Sequence, residues 1–169
     1  MPKILRGTLE YNRIFDEDTL VFCGEVKTGS IKADNIIVIG RIDVRDYLQS
    51  RNLLVVGSIH AREVRVLETT LLKITSPSII MDLYTHNIRV RVSGRGRVSI
   101  GFLCSERANL SGVFIHRMKA PKILILGDRC VIENIEGIGE LLVFKSPYST
   151  FRVNVNGLYK RIMFHYNTL

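Results

Sequence analysis

The chain has 169 residues, enough for one domain with a real core or two small ones. With 46% apolar and 24% charged residues it is not a disordered chain, and it has no run of ~18 consecutive apolar residues that would cross a membrane as a helix. The net charge of +8 implies an acidic partner, such as nucleic acid or an anionic surface, or else a basic solvated exterior.

The opening stretch, MPKILRGTLEYNRIFDEDTL, lacks the apolar core of a secretory signal. It is read as an N-terminal cap segment, residues 1–18. The cysteines, Cys23, Cys104 and Cys130, are odd in number and share no metal-type spacing, which suits reduced, mostly buried thiols in a cytoplasmic protein, with the membrane periphery as a variant location.

From residue 19 the apolar pattern has period two or runs of four to five, as in Leu20–Cys23, Ile36–Ile39, Leu53–Val56, Ile123–Leu126 and Leu141–Phe144. Val and Ile dominate, which favours strands. Tight hairpin dipeptides are missing apart from Asn156-Gly157, so consecutive strands do not read as a meander. The chain also repeats itself. NIIVIGRIDVRD from Asn35 overlays NLLVVGSIHARE from Asn52 at an offset of 17, with Asn, Val, Gly, Ile and Arg identical. LVFCGEV from Leu20 is an earlier copy at an offset of 16, and TTLLKI from Thr69 starts a fourth that has lost its glycine. NIRVRVSG and ILILGDRCVI are degenerate copies further on.

A unit of this length fits one coil of a solenoid with about three strands of four to five residues. The six-residue periodicity of left-handed hexapeptide solenoids is missing. The fold expected is therefore an all-β, single-stranded, right-handed parallel β-helix over residues 19–157, with coils of 16–17 residues and terminal segments as caps. Strand alternation turns Leu20, Phe22, Val26, Ile36, Val38, Ile42, Val44, Leu53, Val55, Ile59 and Ala61 into the lumen. Gly24, Gly40 and Gly57 stack at a corner where a side chain would obstruct the bend. The last segment, residues 158–169, holds the best candidate for a helix in GLYKRIMFHYNTL.

The outward phase of the first strand is apolar too: Val21 and Cys23, Ile37 and Ile39, Leu54 and Val56, then Leu71 with Lys73. Stacked, these residues form an exterior stripe of the kind that marks a contact. Two occupants compete for it: the chain's own LYKRIMFHY, or another subunit, which would make the protein a homo-oligomer or polymer.

The strongest charged feature is NIRVRVSGRGRVSIGF. Arg89, Arg91, Arg95 and Arg97 alternate with inward valines around a turn, and no carboxylate occurs between Asn87 and Ser105. Guanidinium groups bind phosphate and carboxylate in bidentate fashion, so this is the candidate anion-binding face. The competing reading is a solvated face paired with carboxylates of adjacent coils. His60, His86, His116 and His165 have no ligand spacing, and no metal or cofactor is expected. Stacking could bring Asp43 and Asp46 near His60 and Glu63, a mixed cluster for which an outward charged face is the simpler account. No nucleophile motif and no phosphate-binding glycine loop is present, so the protein reads as non-enzymatic.

The phrase GEVKTGSIKADNIIVIGRIDVRD…NLLVVGSIHAREVRV resembles the bactofilin family, well over residues 19–75 and loosely over 85–157. That resemblance implies a compact right-handed β-helix acting as a cytoskeletal scaffold, polymerising without a nucleotide and associating with membranes. The alternative is a binding protein for anionic polymers. The chain departs from the family in lacking Pro-rich flanking tails, in its irregular second half, and in ordered, apolar termini that read as caps on the solenoid.

Overall fold

The computed structural model describes residues 1–146, 154–155 and 158–165. These residues contain no helix and form a single parallel β-solenoid of about nine turns, with about 17 residues per turn. The strands are β1 (Lys3–Phe15), β2 (Thr19–Lys32), β3 (Asn35–Ile74), β4 (Pro77–Val92), β5 (Arg97–Leu110), β6 (Val113–Lys119), β7 (Ile123–Leu126), β8 (Val131–Glu136), β9 (Ile138–Phe144), β10 (Asn154–Val155) and β11 (Leu158–Phe164). Each pairs in parallel with its counterpart one coil away, and the longer ones bend around corners.

Three stacks of inward side chains fill the lumen, one from each face of the coil. The first face contributes Leu72, Val90, Leu110 and Leu126, in direct register. The second contributes Ala61, Ile80, Ile100, Ile115 and Ile132. The third contributes Val64, Leu83, Leu103, Met118 and Ile135. All are buried, as is every residue that strand alternation assigned to the lumen except the corner glycines. β-Branched residues suit such stacks because their stiff side chains pack on the like residue below.

The glycine corner is present as read, and it begins one coil earlier than the repeat suggested. Gly24, Gly40 and Gly57 have φ of 126°, 129° and 134°, a region that L side chains rarely enter. A Cβ on each would lie 2.4, 2.0 and 1.9 Å from the carbonyl oxygen of the glycine below, namely Gly7, Gly24 and Gly40. At the next corner of the same coils a polar ladder runs upward. Asn35 donates from Nδ2 to Thr19 Oγ1 at 3.1 Å, and Asn52 donates to Asn35 Oδ1 at 3.0 Å. Arg51 bridges Asp34 and Glu68 across the same corner.

Two terminal expectations change. Residues 3–15, expected to cap the solenoid, form its first coil, with Lys3 paired to Leu20 and Phe15 to Lys32. The offset is the repeat length, and Gly7 falls under Gly24. At the other end, the helix candidate is a strand. β11 pairs in parallel with β9, Leu158 opposite Ile138 and Phe164 opposite Phe144, because a continuing solenoid offers a sheet edge that supplies every backbone partner. Residues 166–169 and the Asn156-Gly157 dipeptide lie outside the described residues, as does part of LLVFKSPYSTFRVNV.

Candidate functional site

The first face of the solenoid carries both candidate surfaces. Over the early coils its outward positions are Ile4, Val21, Ile37, Leu54 and Leu71 in one column, and Arg6, Cys23, Ile39, Val56 and Lys73 in the next. Ile39 is 51% exposed, while Val21, Cys23, Ile37, Leu54 and Val56 are half-buried by their neighbours in the stack. These six residues thus stand outward, side by side, on successive coils. The described part of the chain's own LYKRIMFHY, residues 158–165, does not cover the stripe: β11 stacks on β9 at the far end. Beside the stripe runs a shallow groove of about 350 Å³, floored by Ile37, Leu54 and Leu71 and edged by Thr19, Asn35, Asn52 and Thr69.

One coil beyond Leu71 and Lys73, both columns are basic. Arg89 sits opposite Leu71, and Arg91 opposite Lys73. Val90 is buried beneath them and Val92 packs against the core, so strand alternation drives both arginines outward. The chain then turns through Ser93–Gly96, where Gly94 has φ of 61° and Gly96 N–H donates to Ser93 O at 3.0 Å. Arg95 stands in that turn, and Arg97 opens β5 on the second face. The four arginines thus wrap a corner rather than share one face as expected. None has a carboxylate within ion-pair distance among the described residues. The reading that adjacent coils neutralise them fails, because Asp82 lies on the third face and Glu106 is held by His86 at 2.8 Å and Lys122 at 2.7 Å.

A second groove on the first face, of about 340 Å³, joins this basic region. Arg89 and Arg107 line it together with Thr69, Asn87, Asn109, Ile123 and Ile125. Unlike Asn35 and Asn52, the side chains of Asn87 and Asn109 make no hydrogen bond among the described residues.

Of the mixed acidic cluster only Asp43 and His60 come together. Asp43 accepts from Arg41 Nε at 3.0 Å, and His60 Nδ1 stands 3.2 Å from Asp43 Oδ1 but off hydrogen-bond geometry. Glu63 pairs with Arg65 instead. An extra residue enters the coil between Val44 and Tyr47, where the register against Thr28 and Ser30 shifts, and the Asp46 carboxylate lies over Gly29 of the coil below. His116 pairs with Glu133. Among the described residues, no group of three His, Cys, Asp or Glu could hold a metal ion. Of the thiols only Cys130 is fully buried. Its Sγ donates to Leu110 O at 3.1 Å and burial pushes it above the usual thiol range, whereas Cys23 and Cys104 are half-buried and free.

Sequence reasoning missed the third face. There Tyr84 meets Phe102 with ring centroids 5.8 Å apart, Arg65 covers Tyr84 and Arg117 covers Phe102. The His86–Glu106–Lys122 ladder borders the same broad depression. Its members lie 20 and 16 residues apart, so a search at the 17-residue period cannot align them. No helix of the described residues is long and apolar enough to cross a membrane. Comparison with known protein families, with curated proteins and with solved structures returns no match for this chain.

Proposed function

We propose that this protein is a non-enzymatic scaffold that self-associates through the surfaces of its solenoid, in the manner that its likeness to bactofilins implies. One observation carries the reading: the apolar exterior of the early coils is left uncovered by every described part of the chain. Coils two to four present Val21, Cys23, Ile37, Ile39, Leu54 and Val56 with no charge among them. A second copy, carrying the same flat ribbon at the same coil spacing, is the partner whose shape matches it.

The size of the ribbon suggests how it works. Three coils at about 4.8 Å spacing, each about four residues wide, give a footprint of about 200 Å², well below a stable dimer interface of roughly 800 Å² per partner. One such contact is weak, and becomes strong only when many are made along an assembly. A second surface is available for that purpose: the outer edge of β1 has no strand partner among the described residues, and an unpaired edge is a template for another strand.

Light scattering and electron microscopy of the purified chain across concentration test this. We expect assemblies that grow with concentration and are lost in Ile39→Lys, which places an ammonium at the centre of the ribbon. A wild-type chain that stays strictly monomeric at high concentration sinks the proposal.

A further inference from the structure

We infer that the corner formed by Arg89, Arg91, Arg95 and Arg97, with Lys73 and Arg107 beside it, binds the phosphodiester backbone of a nucleic acid. Six cations stand on three successive coils, and no described carboxylate lies within ion-pair distance of any of them; Glu106, which feels the charge of Arg107, is held by His86 and Lys122. Arg89 and Arg91 are two residues apart on a strand, about 6.6 Å, and adjacent coils are about 4.8 Å apart. These spacings let neighbouring guanidinium forks each take a separate phosphate group, with bidentate geometry. The groove between Arg89 and Arg107 adds free amides from Asn87 and Asn109, which can hydrogen-bond phosphate or sugar oxygens.

The shape of the patch selects among anionic partners. Arg89 and Arg91 face one side of the solenoid, Arg95 sits in the turn, and Arg97 opens the next face. A planar bilayer resting on the first face leaves Arg97 unused. A polymer that bends around the corner reaches all six. No aromatic lies between these arginines along the chain, and the exposed Phe114 stands beyond Arg97, opposite Ser99, so the arginine contacts are to the backbone and carry no base preference.

Fluorescence anisotropy with labelled single-stranded RNA, single-stranded DNA and duplex DNA of equal length tests this over a salt series. We expect binding insensitive to base sequence. The log–log salt slope should be about −0.7 per phosphate neutralised on a single strand, or about −0.9 on duplex, and the three arms show which form the corner prefers. Replacing Arg89, Arg91, Arg95 and Arg97 together by Gln should weaken binding at least tenfold and flatten the slope by two or more, by about 0.7 for each phosphate that is no longer neutralised. The melting temperature should not change, since these side chains have no protein partner to lose. A control quartet, Arg41→Gln, Arg51→Gln, Arg65→Gln and Arg117→Gln, removes the same charge elsewhere and should weaken binding and flatten the slope clearly less than the corner quartet does. Equal loss in the two quartets overturns the inference, because net charge alone would then explain binding. So does displacement of the oligonucleotide by poly-glutamate at equal charge concentration, or binding of anionic lipid vesicles through this corner where oligonucleotides fail to bind.

Discussion

The early coils and the later coils solve the same bend in different ways. Up to Gly57 the corner is a column of glycines, and from Gly24 on each lies so close to the carbonyl below that no side chain fits. The offset between paired residues stays at 16 or 17, as from Lys3 to Leu20 and from Thr19 to Asn35. Beyond it the same corner is made by Thr75, by the Ser93–Gly96 turn, and by Gly112 and Gly127. Offsets there range from 20, Pro77 to Arg97, down to 15, Val98 to Val113. Close backbone approach fixes coil length, whereas a turn that projects outward tolerates insertion. The arginine corner occurs where the glycine column has ended, because only a projecting turn has room for long side chains.

The widest separation between the halves should come from glycine substitutions. Gly40→Ala places a Cβ 2.0 Å from Gly24 O at a φ of 129°, and we expect a loss of more than about 4 kcal/mol, read as failure to fold or a collapsed denaturant midpoint. Gly94→Ala has φ of 61° and nothing within 4 Å, so its cost should be only about 1–2 kcal/mol, that of a left-handed alanine. Equal effects would remove the distinction. Core truncation comes next. Ile59→Ala, fully buried in the regular half, should cost about 3–4 kcal/mol by urea unfolding, and Leu142→Ala, only half-buried in β9, about 1–2. At the polar corner, Asn52→Ala breaks its bond to Asn35 and should cost about 1 kcal/mol, against less than about 0.5 for Asn109→Ala, whose amide is unpaired.

The smallest effect should be one of pH. The Lys3 ammonium beside Asp16 holds that carboxyl below its ordinary 3.8, helped by the Asp18 amide. A lowered carboxyl stabilises the fold above its unfolded value, and this is lost as pH falls through the folded one. The Lys3 ammonium is correspondingly raised above 10.5, so its share is present below that value and lost as pH rises through the folded one. Hydrogen exchange should show the amides of β1 losing protection below about pH 4, while those of the buried middle coils keep theirs. Uniform loss along the solenoid would show that the first coil is no separate unit.

What the sequence made legible follows from the same contrast. In the regular half, period, lumen side and corner are all written at fixed spacing, because parallel stacking puts each residue on its own counterpart. The first coil was legible in principle. Gly7, Leu5 and Leu9 stand 17 residues before Gly24, Phe22 and Val26, but charged neighbours such as Lys3, Arg6 and Glu10 masked the match. In the later half, offsets that change from coil to coil hide which side chains meet. The His86–Glu106 pair and the Tyr84–Phe102 contact depend on register, which local pattern does not encode. The outward Arg89 and Arg91 were readable from alternation alone, whereas the step of Arg97 onto the next face was not. Their lack of carboxylate partners was not, since that depends on which face Asp82 and Glu106 occupy.

The glycine column also bears on how the chain reaches this state. In a parallel solenoid every backbone partner lies about one coil away, so no turn of it is stable alone, and the first pairing must close a long loop before any reward. Later turns add to an edge already in place, as in a one-dimensional lattice where each unit needs only its neighbour. The coils that emerge first during synthesis are those whose spacing the glycines make least negotiable. A nascent chain that sets Gly24 on Gly7 has fixed a register in which a slip by one residue would drive a side chain into backbone. The tolerant coils then inherit that register instead of having to specify it, and so insertions can accumulate in the second half without scrambling the first.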